Sequence, residues 1–349
     1  MKKYYTRACN FFYGNISKHK IRKKLALPLN GNSSMSFDEI EIISENYKKK
    51  IKVNKIKYLN KNLKNQLNVH LSNITKKKKF KNLSFSKIPI LMGVLNLTPD
   101  SFSDGGKYLK TKKALRHFKE LIKSGCDIID IGGESTRPGS KEIKSELEWS
   151  RIKNVLKIIK NHNRLISLDT RKVDVMKKAT QYKIDLINDI SGLNYNKNTI
   201  NFLKKTNLPF VIHHIQGNPQ SMQKKPRYKN VLTDIYDYFE DKIKIIRSAG
   251  IKHNNIILDP GIGFGKNLKH NMSILKNISI FHSLGFPILV GASKKRFIGE
   301  LNKKYDSKKR HGGTISTSIF LAMQGVQFLR IHEAKEVNQA LTVFKKLNF

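Results

Sequence analysis

From Ile88 onward the chain repeats one arrangement eight times: a short apolar run, then an amphipathic stretch. Nothing else in its 349 residues restricts the fold as strongly. The apolar runs fall at Ile88–Leu97, Asp127–Gly132, Leu165–Asp169, Leu186–Ile190, Pro209–His214, Ile256–Asp259, Ile288–Gly291 and Gln327–His332. They are rich in Ile, Leu and Val without polar alternation, as strands buried on both faces of a parallel sheet are. Helical patterns lie between them near Thr111–Ser124, Glu142–Asn161, Lys172–Tyr182, Asn198–Thr206, Asn230–Ala249, His270–Leu284, Thr314–Gln324 and Ala334–Leu347. Eight strands and eight helices in about 260 residues is the size and order of an α/β protein of the TIM (β/α)8 barrel type. A doubly wound open sheet is the structural runner-up.

Residues 1–87 read differently from 88–349, and we divide the chain there. The first part is rich in Lys and Asn, with runs such as Lys48–Lys50 and Lys76–Lys79. Its short apolar stretches (Phe37–Ile43, Ile51–Leu59, Leu63–Leu71) suit a small or partly ordered α+β extension. It holds 22 basic against 4 acidic side chains, so +18 of the net +42 lies here and +24 in the remainder. Such an excess fits an anionic partner, nucleic acid or membrane surface. The plainer reading is a compositional bias, since Lys, Asn and Ile are all abundant. Aromatic residues are not interleaved in the basic runs as stacking platforms would be, which argues against specific nucleic-acid binding. No apolar run approaches the ~18 residues that span a bilayer, and no signal peptide is read near the start. The only cysteines, Cys9 and Cys126, suit a reducing cytoplasm.

A barrel demands that functional side chains stand where strands end. In order, those ends supply Asn96, Glu134, Asp169, Asn188, His214, Asp259, Lys295, and the pair Arg330 and His332. One polar residue after a strand is usually a cap or turn residue. Polar groups after all eight strands converge on one mouth. Asp169, Asn188 and Asp259 offer acceptors and an amide suited to a flat heterocycle bearing N–H groups. Arg137, Lys295, Arg330 and His332 offer positive charge to anionic groups. Asn96 is a candidate oxygen ligand for Mg²⁺, which keeps several waters and also takes phosphate oxygens. No Ser-His-Asp pairing and no Cys/His cluster stands out, so binding and charge stabilisation are expected instead of covalent catalysis. The segment Gly261–Lys266 matches neither a dinucleotide fingerprint nor a P-loop; its glycines let backbone approach a planar ligand. Thr98–Lys107 and Glu134–Ser140 have the composition of mobile lids.

Taken together these segments resemble dihydropteroate synthases. Asn96-Leu97-Thr98-Pro99-Asp100-Ser101-Phe102 through Gly106 is similar to the first signature of that family, and Asp130 through Gly139 to the second. Ser167–Thr170, Asn188–Ser191, His214–Pro219, Asp259–Lys266, Ser293–Arg296 and Arg330–Glu333 continue in the family's order across 88–349. Lys294 and Glu333 depart from the usual Arg and Asp but keep the charge.

The resemblance implies a transferase of folate biosynthesis and a target of sulfonamides. It would join (7,8-dihydropterin-6-yl)methyl diphosphate to p-aminobenzoate, releasing pyrophosphate. It implies that Asp169, Asn188, Asp259 and Lys295 hold the pterin. Arg137, Arg330 and His332, with Asn96 and Mg²⁺, would take the diphosphate. Thr136, Arg137, Phe264 and Arg296 would line the p-aminobenzoate site, and Asp169, Lys295, Arg330 and His332 would carry the chemistry. A homodimer through the helical layer is implied as well. Two further expectations are that Arg330→Ala leaves the fold intact, Arg330 lying at the rim, and that residues 1–87 are dispensable for chemistry. The alternatives weighed are a pterin-binding methyltransferase of the same superfamily and a basic nucleic-acid-binding protein.

Overall fold

The computed structural model describes residues 3–45, 47–81, 83, 85, 89–98, 107–301, 306 and 309–349. Its eight parallel strands are β5 (Ile90–Asn96), β6 (Ile128–Gly132), β7 (Leu165–Asp169), β8 (Leu186–Asp189), β9 (Phe210–His213), β10 (Ile256–Asp259), β11 (Leu289–Val290) and β12 (Phe328–Ile331). Each pairs with its successor from β5 to β10, and β12 returns to β5. The ring closes where Leu258 bridges Ile288, its N–H donating to the Pro287 carbonyl at 2.9 Å. A parallel pair requires a long crossover, and helices supply it. They are α3 (Lys107–Lys123), α4 (Ser145–Ile159), α5 (Val173–Ala179), α6 (Thr199–Thr206), α7 (Val231–Ser248), α8 (Leu268–Lys276), the short α9 (Arg296–Leu301), α10 (His311–Met323) and α11 (Ala334–Asn348). The barrel is thus the fold the sequence pattern implied.

Two helical readings are corrected. The stretch His270–Leu284 is not one helix: α8 stops at Lys276 and a 3-10 segment, Ile278–Leu284, follows. The cause is local. Asn277 leaves helical backbone at φ −119°, ψ 23°, and its side chain donates to the Ser273 carbonyl at 2.8 Å beside its own N–H at 3.2 Å, closing the last turn. The turn α9, just after β11, was not anticipated; six residues are too few to show a helical period.

The segment before the barrel is an ordered unit. Strands β1 (Tyr5–Tyr13), β2 (Leu27–Leu29), β3 (Asn32–Ser44) and β4 (Tyr47–Lys52) form an antiparallel sheet centred on β3. Helices α1 (Gly14–Arg22) and α2 (Lys61–Thr75) accompany it. Asn60 caps α2 by accepting from the Leu63 N–H at 2.9 Å, and Leu63, Leu67 and Ile74 form its buried stripe.

This unit shares a core with the barrel. Met35, Phe37, Ile40, Leu67, Phe80 and Phe85 cluster with Ile90, Met92, Ile128, Leu186, Val211, Ile257 and Phe328, which come from the amino-terminal halves of barrel strands. Phe80 and Phe85 each set a ring edge-on to Phe328 at 5.3 Å. Burying one such ring contributes about 1.5–3 kcal/mol. Polar ties reinforce the seam: Ser279 donates to the Ala8 carbonyl at 2.9 Å and Asn73 to the Ser283 carbonyl at 2.9 Å. The Tyr13 hydroxyl donates to the Met323 carbonyl at 2.7 Å, while its ring meets Phe344 and Phe349. The barrel's amino-terminal end is therefore covered and its carboxyl-terminal end left open.

Candidate active site

At the carboxyl ends of the strands the barrel opens into a cavity of about 770 Å³. Nine of the residues singled out from the sequence stand on its wall, Glu134 at the start of the loop after β6 among them. Asn96 comes from the tip of β5, Thr136 and Arg137 from the loop after β6, and Phe264 from the loop after β10. Lys295 and Arg296 follow β11, and Arg330 and His332 come from the end of β12. The other four, Asp169, Asn188, Asp259 and His214, are buried at or just past the ends of β7, β8, β10 and β9, enclosed in the barrel mouth. All the candidates therefore meet in one place. Of the two expected lids, Glu134–Ser140 is a described loop, whereas residues 99–106 of the other lie outside the described residues.

Arg330 is the centre of this arrangement. Its Nε donates to Asp130 Oδ2 at 2.6 Å and its Nη2 to Asp169 Oδ2 at 2.7 Å. Asn188 donates to the same Asp130 oxygen at 3.1 Å, which leaves the Asn188 carbonyl oxygen free of that bond. Burial opposes the charge on Arg330, but Asp130 and Asp169 outweigh it and raise its pKa. Burial pushes Asp169 above the usual carboxylate range, and Arg330 works against that shift. The expectation that Arg330 sits at the rim is corrected: its guanidinium turns inward and bridges two carboxylates.

Asp130 is the residue the sequence reading passed over. It interrupts an otherwise apolar strand, Ile128-Ile129-Asp130-Ile131, and is fully buried. An acid in that position implies a cation from elsewhere in the fold. The partner lies 200 positions away, so only the barrel's closure reveals it.

The remaining groups are graded in charge. Burial pushes Asp259 up to about 6 even though the Gly261 N–H donates to it at 2.8 Å. Burial, then the neighbouring Arg330, brings the Lys295 ammonium down to about 8; its Nζ lies 4.2 Å from the Phe264 ring centroid. Lys266, also unassigned before, is buried and donates to the Phe264 carbonyl at 2.9 Å, with His214 Nδ1 at the same distance. Burial holds Lys266 well below the usual lysine range. The glycine loop between them is required. Gly261 has φ +69° and a side chain there would meet the His214 carbonyl at 2.0 Å; at Gly263 the Lys295 chain lies 3.2 Å away. Arg296 pairs with Glu300 at 2.8 Å on α9 and is largely exposed.

The donor set was also tested against a divalent cation. Among the described residues no three His, Cys, Asp or Glu side chains are grouped to hold a metal ion. Asn96 offers one amide oxygen to the cavity that Arg137, Arg330 and His332 also line. A hard cation that draws most of its shell from water and phosphate needs little more from the protein, so these residues fit Mg²⁺.

An α/β barrel with buried carboxylates and an amide among cations at its mouth is a site for a flat polar heterocycle carrying an anionic group. The chain belongs to the pterin-binding enzyme family, whose profile matches residues 92–332. The dihydropteroate synthase of Escherichia coli is 40% identical over 256 residues, covering 73% of this chain and 90% of that protein. Among solved structures, the Yersinia pestis dihydropteroate synthase in a sulfonamide drug complex superposes with TM-score 0.72 and 38% identity, over 77% of this chain and 98% of that one. The Xanthomonas albilineans dihydropteroate synthase in complex with 7,8-dihydropteroate gives TM-score 0.68 and 30% identity, over 76% and 95%. Within the family the chain falls among the dihydropteroate synthases, transferases of folate biosynthesis.

Proposed function

We propose that this mouth performs the synthase reaction by separating charge between a pterin held at depth and a diphosphate held on the wall. The observation that carries the reading is a cavity lined by Arg137, Lys295 and Arg330, of which Arg330 bonds to buried Asp169 and shares Asp130 with buried Asn188. Asp169, Asn188, Asp259 and Lys295 take the ring edge, with Arg330 leaving its carboxylates to meet ring and diphosphate. Arg137 and Arg330 receive the diphosphate oxygens as cations; His332, which burial and then the neighbouring Arg330 bring down to about 3, does so as a neutral N–H donor and not with the positive charge its residue type suggested. Thr136, Arg137, Phe264 and Arg296 line the p-aminobenzoate end, Arg296 by releasing Glu300. As the methylene C–O bond breaks, positive charge grows on the pterin and negative charge on the leaving group. Preorganised carboxylates and cations stabilise both, each by several kcal/mol. The arylamine then bonds to the methylene carbon and its surplus proton passes to water, so no strong base is needed.

Mg²⁺ held by Asn96 would screen the diphosphate charge and make it a better leaving group. We further propose a homodimer through α10 and α11, where Phe320, Met323, Val343 and Leu347 are exposed, and a cytoplasmic location, in keeping with two unpaired cysteines. No helix among the described residues is long and apolar enough to cross a membrane. The test is pyrophosphate release by the purified protein with pterin diphosphate, Mg²⁺ and p-aminobenzoate. Release that requires p-aminobenzoate and yields dihydropteroate is expected. A folded protein that binds pterin but releases none would overturn the reading.

A further inference from the structure

The loop that carries Thr136 and Arg137 runs from residue 133 to 144, between β6 and α4, and a single side chain grips both of its stems. Arg171, two residues past β7 and only 9% exposed, donates through Nε to Glu134 Oε2 at 3.1 Å at the start of the loop. Its Nη2 lies 3.3 Å from Glu142 Oε2 near the loop's end. The guanidinium also stacks over the Tyr195 ring, 4.4 Å from its centroid, and the Tyr195 hydroxyl donates to the other Glu142 oxygen. Four side chains from three loops are thus locked together by one planar cation, an arrangement that suits Arg and not Lys.

Between its stems the loop is braced as a unit. Ser140 donates through its hydroxyl to the Ser135 carbonyl at 2.7 Å and through its N–H to the Arg137 carbonyl at 3.0 Å, and the Gly139 N–H ties the tip to the Pro219 carbonyl of a neighbouring loop at 3.0 Å. With one bond at its tip, a loop braced this way is placed chiefly by what holds its stems. Glu134 has other partners, Lys172 Nζ at 2.8 Å and the Ile143 N–H at 3.0 Å. Glu142, about half exposed, has only Arg171 and Tyr195 among these bonds. Losing Arg171 therefore leaves the second stem with the Ile143 N–H bond to Glu134 but without the side-chain clamp on Glu142, so it loosens while the first stays anchored by Lys172.

We propose that Arg171 is a positioning residue that fixes Thr136 and Arg137 against p-aminobenzoate. It touches neither substrate, and the assignment rests on the reading of the site given above.

The experiment compares wild type with Arg171→Ala, Arg171→Lys and Glu142→Gln. In Arg171→Ala the KM for p-aminobenzoate should rise about tenfold with kcat nearly unchanged, the pattern of lost binding common to ground and transition states. The KM for the pterin diphosphate should rise less than threefold, because of its contacts only Arg137 stands on this loop, its ring and its other diphosphate partners, Arg330 and His332, being held on the barrel strands. Arg171→Lys should lie between, since an ammonium satisfies one carboxylate but neither spans two nor stacks. Glu142→Gln, on the surface, should shift the same KM in the same direction and serves if Arg171→Ala does not fold. Amide hydrogen exchange over residues 134–143 should quicken about tenfold in the ligand-free variant, with the barrel strands unchanged. Unaltered KM for p-aminobenzoate, equal rises for both substrates, or unaltered exchange would each overturn the proposal. Wild type without turnover would defeat the reading of the site instead, and the exchange measurement would still decide whether Arg171 holds the loop.

Discussion

Replacing Arg330 with Ala should damage stability and turnover together. The guanidinium makes charge-assisted bonds of 2.6 and 2.7 Å to Asp130 and Asp169, whose side chains are 0% and 4% exposed. Removing one partner of a buried pair leaves an uncompensated charge and costs about 3–5 kcal/mol. For a domain of this size each kcal/mol lowers Tm by roughly 2–4 °C, so a fall of about 10 °C is expected by calorimetry or circular dichroism. Turnover should fall about 10²–10³-fold, as for loss of one preorganised donor. The deficit must also depend on pH. Asp169, already pushed above the usual carboxylate range by burial, loses the cation that opposes that shift, so its contribution is full below about pH 4 and is lost as pH rises. The gap between variant and wild type should therefore be narrower at pH 5 than at pH 8. Adding Asp130→Asn should recover a substantial part of the lost stability, because a neutral amide of the same shape replaces an unpaired charge. A variant melting within about 2 °C of wild type would refute this account of Arg330.

Four other outcomes are expected. If Lys295 acts as a cation, the alkaline limb of activity should fall near pH 8, where its ammonium loses the proton, and Lys295→Arg should carry the limb to higher pH; an unmoved limb in the pH–rate profile assigns it to another group. Gly261→Ala should destabilise by about 3 kcal/mol, through strain at φ +69° and contact with the His214 carbonyl, and urea unfolding within 1 kcal/mol of wild type would contradict this. A chain cut to begin at Ile90 should melt at least about 10 °C lower or precipitate, since it uncovers Met92, Ile128 and Phe328; equal thermal stability would show that the shared core contributes little. Asn96→Ala should raise the Mg²⁺ concentration for half-maximal turnover about tenfold, an unchanged titration ruling out Asn96 as its ligand.

The barrel was legible because parallel strands buried on both faces must be apolar end to end, which sets them apart from amphipathic helices. Seven of the eight runs, such as Leu165–Asp169 and Ile256–Asp259, begin and end within a residue of the observed strand. The site was legible for the same reason: a polar residue closing an apolar run is conspicuous, as at Asn188 and Asp259. The first 87 residues were less so. The edge strand β4 reads Tyr-Lys-Lys-Lys-Ile-Lys, with lysines outward where an unpaired edge is shielded by charge, and its local pattern resembles a loop. The sheet's apolar face is completed by the barrel, so no period within the segment announces it. Long-range partners were invisible altogether. Nothing beside Arg171 in the sequence points to Glu134, Glu142 or Tyr195, and the inward turn of Arg330 depends on Asp130, 200 positions away.

The ring contacts that Tyr13 makes with Phe344 and Phe349 bear on how the chain is assembled. Residues 5–13 leave the ribosome more than 300 positions before Phe344 and Phe349 do. The Tyr13 end of this strand must therefore wait, unable to complete its ring contacts until the final helix exists. Sequence-distant closure of this kind slows folding and prolongs exposure of apolar surface. During that interval the lysine-rich character of the leading segment is an asset, because like-charged nascent chains repel one another.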